Sequence, residues 1–546
     1  MSYLIRELNR DLNRDLNRAC SLRSVILLVC LGVIAIGCSR ASNKTVVESR
    51  LRSPTEPPTR ELAIDSSFTM DREAYDSFEE NEFFSTLDQP QSTFAIDVDT
   101  ASYANVRRLI RDGILPPKGA VRLEEMVNYF PYDYQEPAGP HPFSVATEMA
   151  ECPWNDKNRL LRVALRGRSD SDQARKACNL VFLIDVSGSM GSNEKLPLVQ
   201  SALRLLVKEL DDRDRIAIVV YAGASGLALP STAVRESSKI LAALENLSAG
   251  GSTNGGSGIS LAYKAAEENR IDGGVNRVIL CTDGDFNVGI SSQSDLVDLV
   301  QTQAKQKVFL SVLGFGKGNL QDATMEKLAD KGNGNYAYID SLLEARKVLV
   351  EQRSGTLVTI ASDVKIQIDF NPKHVAKYRL LGYENRILDN QDFRDDQKDA
   401  GEMGAGHTVT AFYELVPQNE RGSADASNEP IRTSEFVDRK PSKGSETDTM
   451  LTVNLRYKRP EVDTANEFQV RVQFDGIGQT PTTDFAFASS VLAYGMLLRN
   501  SKFAGHANWD WVIANAEKNV GKDPLGLRSE FVQLAKSARR IVPNAR

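Results

Sequence analysis

The sequence predicts an α/β domain with a doubly wound, mostly parallel sheet. This domain is inserted in or flanked by an antiparallel β-sandwich, with helical segments at both ends. Between about residues 176 and 350, short apolar runs alternate with helical stretches, as in βα units. Segments between residues 364 and 474 alternate apolar with polar residues, which is typical of half-buried antiparallel strands. Residues 484–540 have a helical pattern, and a chain of 546 residues is long enough for several domains.

Five apolar runs are the strand candidates of the α/β domain: Leu180–Ile184, Ile216–Tyr221, Val278–Cys281, Val308–Leu313 and Tyr336–Ile339. Because helical stretches separate them, we expect parallel βα units rather than hairpins. The helix after the first strand is the clearest. Val199, Leu203, Leu206 and Leu210 recur at three- and four-residue intervals and predict a face that packs on the sheet.

Four segments after this domain have the alternating pattern of sandwich strands: Val364–Phe370, Thr408–Leu415, Leu451–Tyr457 and Glu467–Phe474. Two segments before it, Phe143–Glu151 and Arg159–Leu165, are candidates for the same sheets. If they pair there, the α/β domain is inserted into the sandwich. Residues 417–449 are rich in Pro, Ser, Asp and Lys and predict a mobile loop between two strands.

Oxygen-bearing side chains follow the first strand of the α/β domain. Asp185, Ser187 and Ser189 alternate in the run Asp-Val-Ser-Gly-Ser, and Gly188 allows the bend that turns three small ligands toward one point. Taken alone, this run is explained equally well as a turn that caps the next helix, because Asp and Ser are favoured at helix starts.

Two later segments favour a cation site. Thr253 lies in the Gly-rich run of residues 250–256, and Asp283 follows the apolar run Val278–Cys281. Ligands of open α/β sheets bind beyond the carboxyl ends of strands, where both Asp185 and Asp283 are expected. Mg²⁺ prefers six oxygen ligands, and a shell with several neutral hydroxyls leaves its charge only partly compensated. The sequence therefore predicts an oxygen-only cation site.

The order Asp-x-Ser-x-Ser, a Thr in a Gly-rich loop and an Asp after a strand resembles the metal-ion-dependent adhesion site of von Willebrand factor type A (VWA) domains. The resemblance implies that Ser187, Ser189 and Thr253 bind a divalent ion directly. It implies that Asp185 and Asp283 act largely through water. The expected ion is Mg²⁺, or Mn²⁺ or Ca²⁺. The resemblance also implies that an acidic residue of another protein takes the open position.

The amino terminus predicts export. Residues 25–37 form an apolar run that is too short to cross a bilayer comfortably, and Arg18 and Arg23 precede it, as in a signal peptide. Residues 35–38, Ala-Ile-Gly-Cys, resemble a bacterial lipobox and imply cleavage and lipidation at Cys38. A short membrane anchor that is never cut is the alternative.

Residues 39–90 are rich in Ser, Thr, Pro, Arg and acidic residues and have few apolar positions. Such a segment buries too little surface to fold alone, so we expect a disordered tether. Ser39 stands where an Asp often signals retention in the inner membrane, which favours the outer membrane of the cell envelope.

The resemblance covers nearly all of residues 92–540. Phe94–Tyr103, Pro131–Tyr134 and Tyr494–Arg499 look like segments of bacterial envelope proteins with a central VWA domain. We therefore expect a lipoprotein signal peptide (1–38), a tether (39–90), a helical region (91–142), strands that join the sandwich (143–175), the VWA domain (176–350), the sandwich (351–480) and a C-terminal helical region (481–546).

The remaining chemistry-bearing residues predict little else. The 73 acidic and 66 basic residues are well mixed, and no basic stretch is interleaved with aromatics, so we expect no nucleic-acid partner. Cys281 is a core candidate inside a strand. A disulfide between Cys152 and Cys178 is chemically permitted in an oxidising envelope, but the sequence does not fix their distance.

Three functional interpretations remain open. The first is a divalent-cation-dependent protein-binding module, used for adhesion or scaffolding, and the second is a structural lipoprotein with a vestigial metal site. The third is a Mg²⁺-dependent phosphatase, because Asp97 and Asp99 after an apolar run resemble the carboxylate pair of haloacid-dehalogenase phosphatases. A helix start with capping Asp and Thr explains these two residues more simply. We therefore expect no enzyme.

Overall fold

The computed structural model describes residues 73–169, 176–222, 225–251, 256–284, 293–352, 355, 358–396, 398, 400–418, 448–460, 462–473 and 480–542. All of these residues belong to one unit, Ser66–Arg546. Cys38, the signal peptide and residues 39–72 of the expected tether lie outside the described residues, as does most of the loop predicted at 417–449.

The strands, numbered along the chain, are β1 (Phe84–Ser85), β2 (Gln91–Ala95), β3 (Phe143–Cys152), β4 (Asn155–Gly167), β5 (Cys178–Asp185), β6 (Arg215–Tyr221), β7 (Ser225–Ala233), β8 (Val275–Thr282), β9 (Phe309–Phe315), β10 (Tyr336–Ile339), β11 (Thr359–Phe370), β12 (Val375–Leu381), β13 (Ile387–Leu388), β14 (Met403–Gly404), β15 (Thr408–Pro417), β16 (Thr449–Arg459) and β17 (Val462–Gln473). The α-helices are α1 (Ala101–Arg111), α2 (Leu123–Asn128), α3 (Leu196–Glu209), α4 (Ser237–Glu245), α5 (Gly256–Glu268), α6 (Gln293–Lys305), α7 (Asp322–Lys331), α8 (Leu342–Arg346), α9 (Thr483–Arg499), α10 (Trp509–Lys518) and α11 (Leu527–Ile541).

The α/β domain has a six-stranded sheet in the order β10-β9-β8-β5-β6-β7. Neighbouring strands are parallel except for β6 and β7, which form an antiparallel hairpin at one edge. The doubly wound, mostly parallel fold is therefore confirmed, and each of the five predicted apolar runs overlaps one of its strands. The expectation of no hairpin is wrong at β7. This half-exposed edge strand lacks a continuous apolar run and contains Pro230, which edge strands tolerate.

Helices cover both faces of this sheet. All eight residues of β5 are buried, as expected for the central strand of a parallel sheet that is covered on both sides. Apolar side chains of α3, α4 and α8 pack on one face. Those of α5, α6 and α7 pack on the other, where Ala101 and Ala104 of α1 join them.

Two antiparallel sheets form the sandwich. One has the order β1-β12-β15-β4-β3, and the other has the order β13-β2-β11-β16-β17, with β14 paired to β11. Apolar side chains of β4 and β15 meet those of β2, β11 and β16 in a shared core. Because β2–β4 precede the α/β domain in the chain and β11–β17 follow it, that domain is inserted into the sandwich.

Two sequence expectations need correction here. The region 91–142 is not purely helical, because β2 pairs with β11 inside the sandwich. The expected tether of 39–90 is wrong from residue 73 onward: the Asn81 side chain donates to the Gly382 carbonyl at 2.8 Å, and Phe83 packs edge-on against Phe503. Aromatic residues are concentrated between Tyr75 and Phe84, and the average composition of 39–90 does not reveal this.

The helical regions form a single layer. Helices α1, α2, α9, α10 and α11 share a core and pack on the outer face of the five-stranded sheet through Leu160, Ala164 and Phe412. Trp509 is buried there and contacts the Tyr494 ring edge-on at 5.6 Å between centroids. None of the helices within the described ranges is long and apolar enough to cross a membrane.

The three described cysteines are buried in two separate cores. Cys152 lies in the helical core, whereas Cys178 and Cys281 lie in the core of the α/β domain. No disulfide joins any of these three described residues, so the possible bridge between Cys152 and Cys178 is not formed.

Candidate metal centre

The site is built where the two central strands of the α/β sheet end. Strands β5 and β8 are parallel neighbours, with Ile184 opposite Cys281. Asp185 and Asp283 follow at the same edge, and both residues are buried. The fold therefore brings two carboxylates that are almost a hundred residues apart to one place.

The loop after β5 presents the two serines beside Asp185. The Ser187 backbone N–H donates to Oδ1 of Asp185 at 2.8 Å. The hydroxyl oxygens of Ser187 and Ser189 lie 3.0 Å apart. A 3₁₀ turn at Gly188–Gly191 holds this arrangement, and its Met190 side chain is fully buried in the domain core.

The Gly-rich loop is hydrogen-bonded to the same turn. The N–H of Gly188 donates to the carbonyl of Gly251 at 3.1 Å, and the N–H of Gly250 donates to the carbonyl of Val186 at 2.7 Å. Gly251 has a φ of +88°, which favours glycine. Thr253, the third predicted hydroxyl ligand, lies outside the described residues.

The side chains at this edge fit a hard divalent cation. Oδ2 of Asp185 is buried and accepts no hydrogen bond of normal geometry from the described part of the chain, although the Tyr221 hydroxyl lies near this carboxylate. An acceptor oxygen is therefore left for a ligand. Burial, partly offset by hydrogen bonds from Ser187, raises the pKa of Asp185 to about 6. No group of three or more His, Cys, Asp or Glu side chains is placed to hold a metal among the described residues. An ion at this edge would therefore need hydroxyl oxygens among its ligands, and Mg²⁺ and Mn²⁺ accept such oxygen ligands.

Sequence reasoning missed one member of the site. The Lys195 ammonium donates to Oδ2 of Asp283 at 2.8 Å, and both side chains are buried. Lys195 occupies the N-cap of α3, where its side chain makes no cap hydrogen bond. A positive charge is unfavourable at the N-terminus of a helix. A lysine just before the predicted helix was therefore the feature of the sequence that could have indicated a carboxylate partner.

Asp97 and Asp99 lie away from this edge and make structural contacts instead. Oδ1 of Asp99 accepts the backbone N–H of Tyr336 at 2.8 Å, and Arg386 lies 3.4 Å from Asp97. The simpler explanation by helix capping is wrong as well, because the N-cap of α1, Thr100, makes no side-chain cap hydrogen bond. Strand β2 before them belongs to the antiparallel sandwich and not to a nucleotide-type fold, which removes the main support for a phosphatase.

Comparison with known proteins agrees with this architecture. Residues 179–352 match the profile of the von Willebrand factor type A domain, and residues 69–162 match a profile described as von Willebrand factor. Residues 355–541 match a profile described as uncharacterized protein YfbK, C-terminal. The fold and the match of residues 179–352 thus define a VWA-domain protein.

The chain is 42% identical over 511 residues to the uncharacterized protein YfbK of Escherichia coli (strain K12), covering 91% of this chain and 86% of that protein. It belongs to the YfbK family. It is also 30% identical over 228 residues to inter-alpha-trypsin inhibitor heavy chain H3 of Homo sapiens, of which it spans only 23%. A solved von Willebrand factor type A structure from Catenulispora acidiphila has a TM-score of 0.39 and 15% identity, over 73% of this chain and 91% of that one.

Proposed function

We propose that this chain is a divalent-cation-dependent protein-binding module in which a partner's carboxylate completes the shell of an ion at the edge of the α/β sheet. VWA domains commonly mediate protein–protein interactions. The observation that carries the proposal is the convergence of Asp185, Ser187, Ser189 and Asp283 at the ends of two adjacent central strands. Thr253 is proposed as a further ligand.

The site residues offer two kinds of oxygen ligand to an ion. The hydroxyls of Ser187 and Ser189 are neutral oxygen ligands, and Asp185 has an oxygen without a hydrogen bond of normal geometry in the described residues. When bound, the ion supplies positive charge that attracts an external carboxylate. Neutral hydroxyls compensate little of that charge, which favours an acidic residue as the incoming ligand.

We further propose that the module is attached to the bacterial envelope, on the outer membrane, by a lipid at Cys38. The support is the apolar run at residues 25–37 and the lipobox-like residues 35–38. Residues 39–72 would then link Cys38 to the described part of the chain.

The test of the proposed binding is a capture experiment from envelope extract with the full chain, in Mg²⁺ and in chelator. Proteins retained in Mg²⁺ should be lost in chelator and should be lost with Ser187→Ala. Ser201→Ala is a matched control, because its hydroxyl bonds the Pro197 carbonyl on α3 and lies outside the site. Equal capture in Mg²⁺ and chelator would reject metal-bridged binding.

A structural role with a vestigial metal site is the second candidate. The observation in its favour is the ion pair between Lys195 and Asp283, because an internal ammonium satisfies one carboxylate without any metal. Under this alternative, neither chelator nor Ser187→Ala changes the set of captured proteins. We propose no catalytic activity, since Asp97 and Asp99 face Arg386 rather than a reaction site.

A further inference from the structure

Lys195 is fixed in its contact with Asp283 by the fold around it. Its side chain is 9% exposed and that of Asp283 is fully buried. The backbone of Lys195 is held at the start of α3, because the N–H of Val199 donates to its carbonyl at 2.9 Å. Its methylene chain crosses directly over Gly316, where a Cβ atom would overlap Cγ and Cε of the lysine. The position of the ammonium group is therefore fixed by packing as well as by the ion pair.

The position of this charge matters for any cation at the site. Asp185 and Asp283 are the two carboxylates of the proposed ligand set, and each carries one negative charge when ionised. With both uncompensated, a divalent ion would be neutralised by the protein alone. Because Lys195 pairs with Asp283, one of these negative charges is already balanced, and an ion bound there leaves an excess of positive charge.

We propose that Lys195 is a positioning residue that sets the charge of the site. It binds Oδ2 of Asp283, weakens the binding of the bare ion, and makes the loaded site favour an anionic ligand such as a carboxylate. This inference rests on the proposed function. A lysine that only stabilised the loops would affect ion and anion binding in the same direction, whereas a charge-setting lysine affects them in opposite directions.

The test uses the full chain and two probes, Mn²⁺ alone and Mn²⁺ with acetate at constant ionic strength, with free Mn²⁺ followed by electron paramagnetic resonance. Lys195→Gln keeps a donor for Asp283 but removes the charge. Its affinity for Mn²⁺ should rise by at least roughly tenfold, the scale expected for removing a unit charge about 6 Å from a divalent ion even with the screening of bulk water. The strengthening of Mn²⁺ binding by acetate should fall at the same time.

Two variants provide the controls. Lys536→Gln removes the same charge from a half-exposed lysine that pairs with Glu517 in the C-terminal helical region, so it should leave both measurements near wild type. Lys195→Arg keeps the charge and should keep the Mn²⁺ affinity low. If Lys195→Gln is too unstable without metal for a titration, the rise in its melting temperature on adding Mn²⁺ should exceed that of wild type.

The outcomes separate this inference from the proposed function. Mn²⁺ that binds wild type and Lys195→Gln equally, or that binds the variant more weakly, overturns the role of Lys195 but leaves the metal site standing. Mn²⁺ that binds neither protein overturns both. Mn²⁺ that binds Lys195→Gln more tightly than wild type, together with a smaller effect of acetate on the variant, supports the inference.

Discussion

Arg107 of α1 donates to the carboxylate of Glu344 on α8 at 2.8 Å, and both side chains are 1% exposed. The same guanidinium binds Asp340 at 2.5 Å and the Tyr129 hydroxyl at 2.7 Å. A helix outside the α/β domain is thereby tied to the last helix of that domain. The inserted domain and the helical layer are joined through buried charge and not only through apolar contacts.

We predict that Arg107→Met destabilises the protein by about 3–5 kcal/mol, because it removes the guanidinium that binds the buried carboxylates of both Glu344 and Asp340, although Lys347 still lies 3.6 Å from Glu344. Denaturant unfolding of the full chain measures the loss. Arg213→Met is the control, since that exposed arginine pairs only locally with Asp211, and it should unfold like wild type. Equal stability of Arg107→Met and Arg213→Met would contradict the proposed link.

A pH effect is expected at Glu124 on α2. Burial, followed by the nearby Glu384, raises the pKa of Glu124 from 4.5 to about 7, although Arg499 opposes the shift. The folded state therefore holds this proton more tightly than the unfolded chain. The resulting penalty is absent below pH about 4.5, grows as the pH rises to about 7 and is complete above that value.

Glu124→Gln removes this penalty. At pH 8 the variant should be more stable than wild type by roughly 2–3 kcal/mol, and the difference should shrink as the pH falls to 5. Thermal unfolding at both pH values is the measurement. Glu268→Gln, an exposed change on α5, should show the same difference from wild type at pH 8 and pH 5. A Glu124→Gln variant that is less stable at pH 8 would show that the sign is wrong.

Gly316 and Gly113 allow a matched comparison of backbone and packing effects. Both have a positive φ, +76° and +75°, so alanine strains either position similarly. Only at Gly316 would the new methyl group meet another side chain, that of Lys195. Gly316→Ala should therefore cost about 1–3 kcal/mol more than Gly113→Ala in unfolding measurements. Equal costs would mean that Lys195 moves aside freely.

The attachment to the envelope is tested at Cys38. Cys38→Ser should abolish incorporation of a radiolabelled fatty acid into the protein expressed in a bacterial host. Acyl burial contributes about 0.8 kcal/mol per methylene, so the variant should also leave the membrane fraction. Label that persists in Cys38→Ser would place the anchor elsewhere.

The fold was largely predictable because its central strands are buried on both faces. Such strands appear as continuous apolar runs, as in β5, and their order in the chain predicts parallel pairing. Strands whose exposed or charged positions interrupt the pattern were missed. In β12, for example, Arg379 is buried and pairs with Glu414 at 2.7 Å. The local sequence around Arg379 does not predict this ion pair.

The candidate site was predictable only where its residues follow strands. Asp185 and Asp283 each follow an apolar run, and parallel pairing of those two runs is enough to bring both carboxylates to one edge of the sheet. Lys195 was missed because its contact with Asp283 joins residues far apart in sequence, and because a lysine before a helix is usually solvated. Asp97 was assigned a capping or catalytic role, whereas its partner, Arg386, comes from a distant loop of the sandwich.

The central claim is that Asp185 and the hydroxyl residues hold a divalent cation, and calorimetric titration of the full chain with Mn²⁺ tests it most directly. Wild type should bind Mn²⁺ at one site, and the double variant Asp185→Ala with Thr253→Ala should lose at least roughly tenfold in affinity, because it removes a carboxylate and a hydroxyl ligand. Ser201→Ala should bind as wild type does. An unchanged Mn²⁺ affinity in the double variant would contradict the account.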